Sequence, residues 1–184
     1  PMADNGYDIS DYRAIAPDLI GMGASGKPDI AYTFEDHARY IDGFIAALDL
    51  EDVVLVVHDW GAAIGMRYAR LNPENVAGLA FMEAVSPPSL PVAGYDAMPP
   101  DLAEFFRTMR SPEGEELVLE QNYFVEQVLP GLGVRRTLTT AEMAAYRAPY
   151  PTPESRLPTL QWPREIPIDG EPAFATEEVA ANGE

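Results

Sequence analysis

Residues Val53-Val54-Leu55-Val56-Val57-His58-Asp59-Trp60-Gly61-Ala62-Ala63-Ile64-Gly65 set the strongest limit on what this chain can fold into. An uninterrupted aliphatic run predicts a parallel strand buried on both faces. Asp59 stands where that strand must turn, and Gly61 opens a helix of small residues. A carboxylate so placed lies at the carboxyl end of a strand, where open α/β sheets keep their sites. It also lies beside the positive end of the next helix dipole. The pattern is that of a nucleophile elbow, with aspartate where G-x-S-x-G motifs carry serine. Read from the residues alone, Asp59 is equally a helix N-cap, a position that favours aspartate.

The flanking sequence supplies a β-α-β-α-β order. Pro1–Ser10 reads as a polar loop and Arg13–Leu19 as a short strand. Thr33-Phe34-Glu35-Asp36 has the form of a capping box and predicts a helix of about 15 residues. Its apolar face carries Phe34, Ala38, Ile41, Phe44, Ile45 and Leu48. After the central strand, the helix over 61–71 closes at Asn72-Pro73, and Val76–Met82 forms a strand ending in Glu83. Short connections of this kind build a parallel, right-handed wound sheet. Gly21, Gly23 and Gly26 match the G-x-G-x-x-G pattern, but Lys27-Pro28-Asp29 follows where a dinucleotide site needs a helix. The expectation is a glycine loop near an active site.

Beyond Pro87 the character changes. Proline recurs to Pro100, which starts a helix bearing Leu102, Phe105, Phe106 and Met109. A second helix is predicted over 115–129, with Leu117, Val118, Phe124, Val125 and Val128. Thr139 with Glu142 caps a third that ends near Arg147. A Pro-rich stretch, Pro149–Pro172, follows, and 173–184 reads as a weak helix start. No strand is expected in this half, which has the pattern of an all-helical lid.

Charge narrows the partners. Thirty acidic against 12 basic residues give a net charge of −18, which repels phosphate backbones and anionic bilayers. Neither nucleic acid nor membrane is an expected partner. Without cysteine there is no thiolate metal site or thiol nucleophile. No signal peptide or membrane-length apolar run is visible, so a cytoplasmic location is expected. The chain begins at Pro1, and an upstream segment is expected to be missing.

Four segments together resemble the haloalkane dehalogenases of the α/β-hydrolase superfamily: His58-Asp59-Trp60-Gly61, Ala16-Pro17-Asp18-Leu19-Ile20-Gly21-Met22-Gly23, Phe81-Met82-Glu83 and Gly170-Glu171-Pro172. The resemblance runs along nearly the whole chain. It implies an α/β fold, with a partial α/β-hydrolase core over 1–86, a helical cap over 87–168 and a truncated return to the core over 169–184. It also implies that Asp59 attacks the halogen-bearing carbon to form an alkyl-enzyme ester. Trp60 would bind the departing halide, and Glu83 would orient a catalytic histidine. Phe105, Phe106, Phe124, Val128, Trp162 and Pro163 would line an apolar tunnel. The partners implied are a small halogenated aliphatic substrate and water, acting on a monomer with neither metal nor organic cofactor. By residue type alone, Trp60 also reads as a packing aromatic and Glu83 as a solvated strand end, while for the cap aromatics ordinary core packing outweighs substrate contact, residue by residue.

The sequence departs from the family pattern in one half of the machinery. Its two histidines are His37, on the helix before the central strand, and His58, whose side chain alternates away from Asp59. Neither matches the family's late histidine base, and its His-Gly-Asn-like loop and accompanying strand are absent. The expectation is a central piece of a longer product, marginally stable and unable to turn over. Two other readings remain open at this stage. One is an epoxide hydrolase of the same fold, using tyrosines among Tyr95, Tyr123, Tyr146 and Tyr150. The other is a non-catalytic relic or binding module.

Overall fold

The Thr33 side chain accepts the Asp36 N–H, and the Asp36 carboxylate accepts the Thr33 N–H, each at 3.2 Å. This reciprocal cap starts α1, Phe34–Ala47. The computed structural model describes residues 13–183; the expected Pro1–Ser10 loop lies outside them. β1 spans Val53–His58, α2 Trp60–Leu71 and β2 Val76–Met82. The two strands pair in parallel, with Leu55 opposite Leu79 and His58 opposite Met82. Parallel strands joined through a helix are the wound unit the sequence predicts.

α2 packs closely on β1 because Gly65 lies against Val57. A Cβ built at Gly65 would stand 2.9 Å from a Val57 methyl, whereas one at Gly78 would meet Val54 at an ordinary 3.7 Å. Gly65→Ala is therefore expected to destabilise the fold by about 1–2 kcal/mol through overpacking. Gly78→Ala should have little effect, and urea denaturation of the two variants checks the contrast.

Two expectations for the sheet are corrected. Arg13–Leu19 is not a strand. Its backbone leads instead into a turn, where the Met22 N–H donates to the Leu19 carbonyl at 2.8 Å and the Gly21 N–H to the Gly26 carbonyl at 2.9 Å. A strand requires a paired neighbour, and the sheet of the described residues contains β1 and β2 alone. For the same reason β1 is not buried on both faces. Val54 and Val56 are 52% and 58% exposed, while Phe81 on β2 is 58% exposed. α1, α2 and α7 (Ala173–Ala181) cover the Val57 side, and the side carrying Val54 and Val56 is open. Leu48, assigned to the apolar face of α1, is also exposed.

The second half is helical: α3 Pro100–Met109, α4 Pro112–Glu115, α5 Thr140–Arg147 and α6 Leu157–Glu165. The single helix expected over 115–129 is instead two wide π-type segments, Glu116–Glu120 and Phe124–Gly133. Asn122 separates them at φ 52°, a left-handed conformation that ends a right-handed helix and that asparagine tolerates. α6 lies inside the Pro-rich stretch, where the sequence reading assigned no element. Pro158 falls in its first turn, where no N–H is needed, and Pro163 falls near its end. Arginine side chains fasten α6 to its neighbours through carbonyls. Arg164 donates to Met109 at 2.8 Å, Arg110 to Ile166 at 2.5 Å and Arg156 to Leu119 at 2.6 Å. Isolated bridges join Val92 to Ile168 and Ile168 to Glu171, although no strand was expected here. Among the described residues, no helix is long and apolar enough to cross a membrane.

Candidate active site

β1 ends at His58, and the chain reverses through Asp59 at φ 51°, ψ −124°. That conformation is strained for a non-glycine residue, costing on the order of 1–3 kcal/mol, and such strain gathers at functional sites. The backbone bonds around it hold the turn. The Asp59 N–H donates to the Met82 carbonyl at 3.3 Å, and the Asp59 carbonyl accepts the Ala62 and Val85 N–H groups at 3.0 and 3.3 Å. Asp59 occupies the N-cap position of α2 but makes no side-chain cap bond, leaving its carboxylate uncommitted to the helix. Burial raises the carboxyl pKa, even though much of the residue surface reaches solvent. The Trp60 N–H and His58 oppose that shift, and Glu83 adds to it.

Trp60, 6% exposed, packs against both Phe34 and Trp162, with ring centroids at 5.5 and 5.0 Å. Phe34 begins α1, and Trp162 projects from α6, so the indole is held where the wound sheet meets the helical half. A buried carboxylate fixes that meeting. Glu165 on α6 accepts the Phe34 N–H at 2.8 Å, placing an acceptor on an otherwise unpaired donor at the positive end of α1. Burial raises the Glu165 pKa, against the Phe34 N–H and Gln161.

Glu83 follows β2 at φ 47°, beside the end of β1. Its carboxylate is hydrogen-bonded to His58 Nε2 at 2.9 Å, and its side chain is 85% exposed. A polar pair so exposed contributes little to stability. The sequence reading set His58 aside and did not anticipate this pairing. The signal was the adjacency of two strand ends, which becomes visible only once the register places His58 opposite Met82.

Of the residues assigned to a tunnel, Phe105, Phe106 and Trp162 join the core cluster that contains Trp60 and Phe34. Phe124 meets that group edge-on through Phe105 at 6.3 Å and belongs to a second cluster around Met109, Val118 and Leu160. Val128 is half-buried and part of neither cluster, and Pro163 is buried within α6. Two of the four tyrosines weighed for epoxide opening have engaged hydroxyls. Tyr95 accepts from Arg110 at 3.1 Å, and Tyr150 donates to Met22 Sδ at 3.4 Å. Among the described residues, no group of three His, Cys, Asp or Glu side chains is placed to hold a metal ion. The glycine loop is a compact turn, with the Ala24 N–H on the Asp18 carboxylate at 2.8 Å and no helix opening at Gly26.

A family model described as alpha/beta hydrolase fold matches residues 3–122. The chain is 52% identical over 162 residues to a haloalkane dehalogenase of Mesorhizobium japonicum, covering 88% of this chain and 52% of that protein. It is 54% identical over 167 residues to one of Sphingobium indicum, covering 88% and 55%. The chain thus spans about half the length of the curated relatives it matches. Among solved structures, haloalkane dehalogenase DbeA from Bradyrhizobium elkani aligns with a TM-score of 0.83 at 48% identity, over 91% of this chain and 57% of that one. Haloalkane dehalogenase DatA from Agrobacterium tumefaciens aligns with a TM-score of 0.77 at 39% identity, over 88% and 54%.

Proposed function

Because this chain belongs to the α/β-hydrolase family, we propose that its elbow carries the nucleophilic half of a haloalkane dehalogenase. An Asp59 carboxylate oxygen attacks the halogen-bearing carbon, a carbon–oxygen bond forms, and the carbon–halogen bond breaks with its electron pair leaving on the halide. Trp60, next in the chain, takes the halide with its indole N–H. Hydrolysis, in which water attacks the ester carbonyl carbon to release the alcohol and a proton and restore Asp59, requires a base that neither histidine supplies. The observation that carries this reading is the strained, uncapped Asp59 at the end of β1, followed directly by a tryptophan packed against Trp162.

Glu83 supports the same reading from the end of the next strand, where a carboxylate can orient a histidine. The division into core (1–86), cap (87–168) and return (169–184) follows from it, with Phe105, Phe106 and Trp162 as the apolar surface over the elbow. Phe124, Val128 and Pro163 would lie farther along the substrate path. The substrate class is a small halogenated aliphatic molecule, acted on by a monomer in the cytoplasm. In this reading neither histidine serves as the water-activating base. His37 is sealed beneath Trp162, and His58 precedes the nucleophile on the strand, where its side chain alternates away from Asp59.

Halide release from 1-bromobutane, set beside diol formation from styrene oxide, tests the proposal. The expected result is close to one bromide per chain and no diol. Diol formation without halide release would move the assignment to epoxide opening.

A further inference from the structure

His37 belongs to no part of the chemistry above, yet it is the most enclosed titratable side chain near it. It is 0% exposed, and neither ring nitrogen has a hydrogen-bond partner among the described residues. A buried polar ring without partners bears an uncompensated desolvation cost. Its interactions are instead made by its faces. Trp162 stacks on it at 4.1 Å and 19°, and Tyr32 lies 6.3 Å away, tilted by 38°. Trp162 in turn lies 5.0 Å from Trp60. The three rings form a continuous row from the interior of α1 through α6 to the residue after the nucleophile.

We propose that His37 is a positioning residue that sets the angle of the Trp60 indole through Trp162. The inference rests on the reading of Trp60 as the halide donor. Trp60 follows a strained turn and has little freedom along the backbone, so its ring orientation is decided by what presses on its faces. Phe34 and Trp162 are the rings that press on it, with centroids at 5.5 and 5.0 Å. Trp162 is half-buried on α6, and the His37 plane behind it limits its tilt. A flat ring limits tilt in a way that a branched aliphatic side chain of similar bulk does not.

Trp60 and Trp162 are the two tryptophans of the sequence, so intrinsic fluorescence reads this row directly. Bromide titration of the purified chain at pH 7.5 should give saturable quenching, distinct from the linear collisional component. His37→Leu should weaken the apparent bromide affinity about tenfold, and His37→Phe, which restores a flat ring, should recover it. Trp162→Leu should weaken it similarly, and the His37→Leu/Trp162→Leu pair should lose no more than Trp162→Leu alone. Among folded variants, that non-additivity is not expected of two independent packing defects. Unchanged bromide affinity in folded His37→Leu, or no recovery in His37→Phe, would overturn the positioning role alone. Absence of saturable quenching in the unsubstituted chain would overturn the halide reading and this inference together.

Discussion

Incubated with 1-bromobutane, the chain is expected to gain the mass of one butyl group, and Asp59→Asn to gain none. The difference should be all or nothing, because the amide of asparagine is a far weaker nucleophile than a carboxylate at the same place. The elbow itself should persist in the variant, since its bonds to Met82, Ala62 and Val85 are made by the backbone. Asp59 reacts only when ionised. Burial raises its pKa, so the rate of adduct formation should fall as pH drops through that raised value. Once formed, the ester should persist, because His37 is inaccessible and the His58 side chain alternates away from Asp59 along the strand. Intact-mass spectrometry over hours checks both parts. Rapid loss of the adduct that is abolished by His58→Ala would make the His58–Glu83 pair the water-activating group, contrary to the reading proposed here.

Acid should destabilise this fold through His37 well before the exposed carboxylates are titrated. Burial lowers its pKa from 6.5 to about 4, with the Asp36 charge opposing the shift. Between those values the unfolded chain binds a proton that the folded chain cannot. The contribution is therefore complete above about pH 6.5 and is lost as pH falls toward 4. At about 1.4 kcal/mol per pKa unit, the loss is roughly 3 kcal/mol, a large share of the stability of a typical domain. Asp59 and Glu165 act in the opposite sense. Their pKa values are raised on folding, so the folded chain takes up their protons first and gains stability as pH falls. Urea denaturation of the chain and of His37→Phe between pH 7.5 and 4 isolates the histidine, because the carboxyl contributions are common to both. Parallel pH profiles for the two proteins would show that His37 is protonated in the folded state.

Local signals were read accurately where the interaction lies within a few residues. The Thr33–Asp36 and Thr139–Glu142 boxes, the ends of β2 and the proline start of α3 are all settled over less than one or two turns of chain. The break at Asn122 and the helix hidden among prolines at 157–165 were not legible. The first depends on a backbone conformation that several residue types can adopt. The second depends on distant partners, with Arg110 donating to the Arg164 and Ile166 carbonyls while Arg156 and Arg164 reach out to the carbonyls of Leu119 and Met109. Arg13–Leu19 failed as a strand for a related reason, since a short aliphatic run proposes a strand and only a neighbouring strand creates one.

The sequence by itself determined the strand–aspartate–helix elbow, the parallel pair and the family. Each is written in contiguous residues whose local preferences agree. Tertiary structure alone decided what surrounds the elbow. It set Phe34 and Trp162 against Trp60, sealed His37 behind Trp162 and brought His58 onto Glu83. Those contacts join residues 25 to more than 100 positions apart. Their existence depends on which faces meet when the helices close over the sheet, and no short window of sequence contains that information.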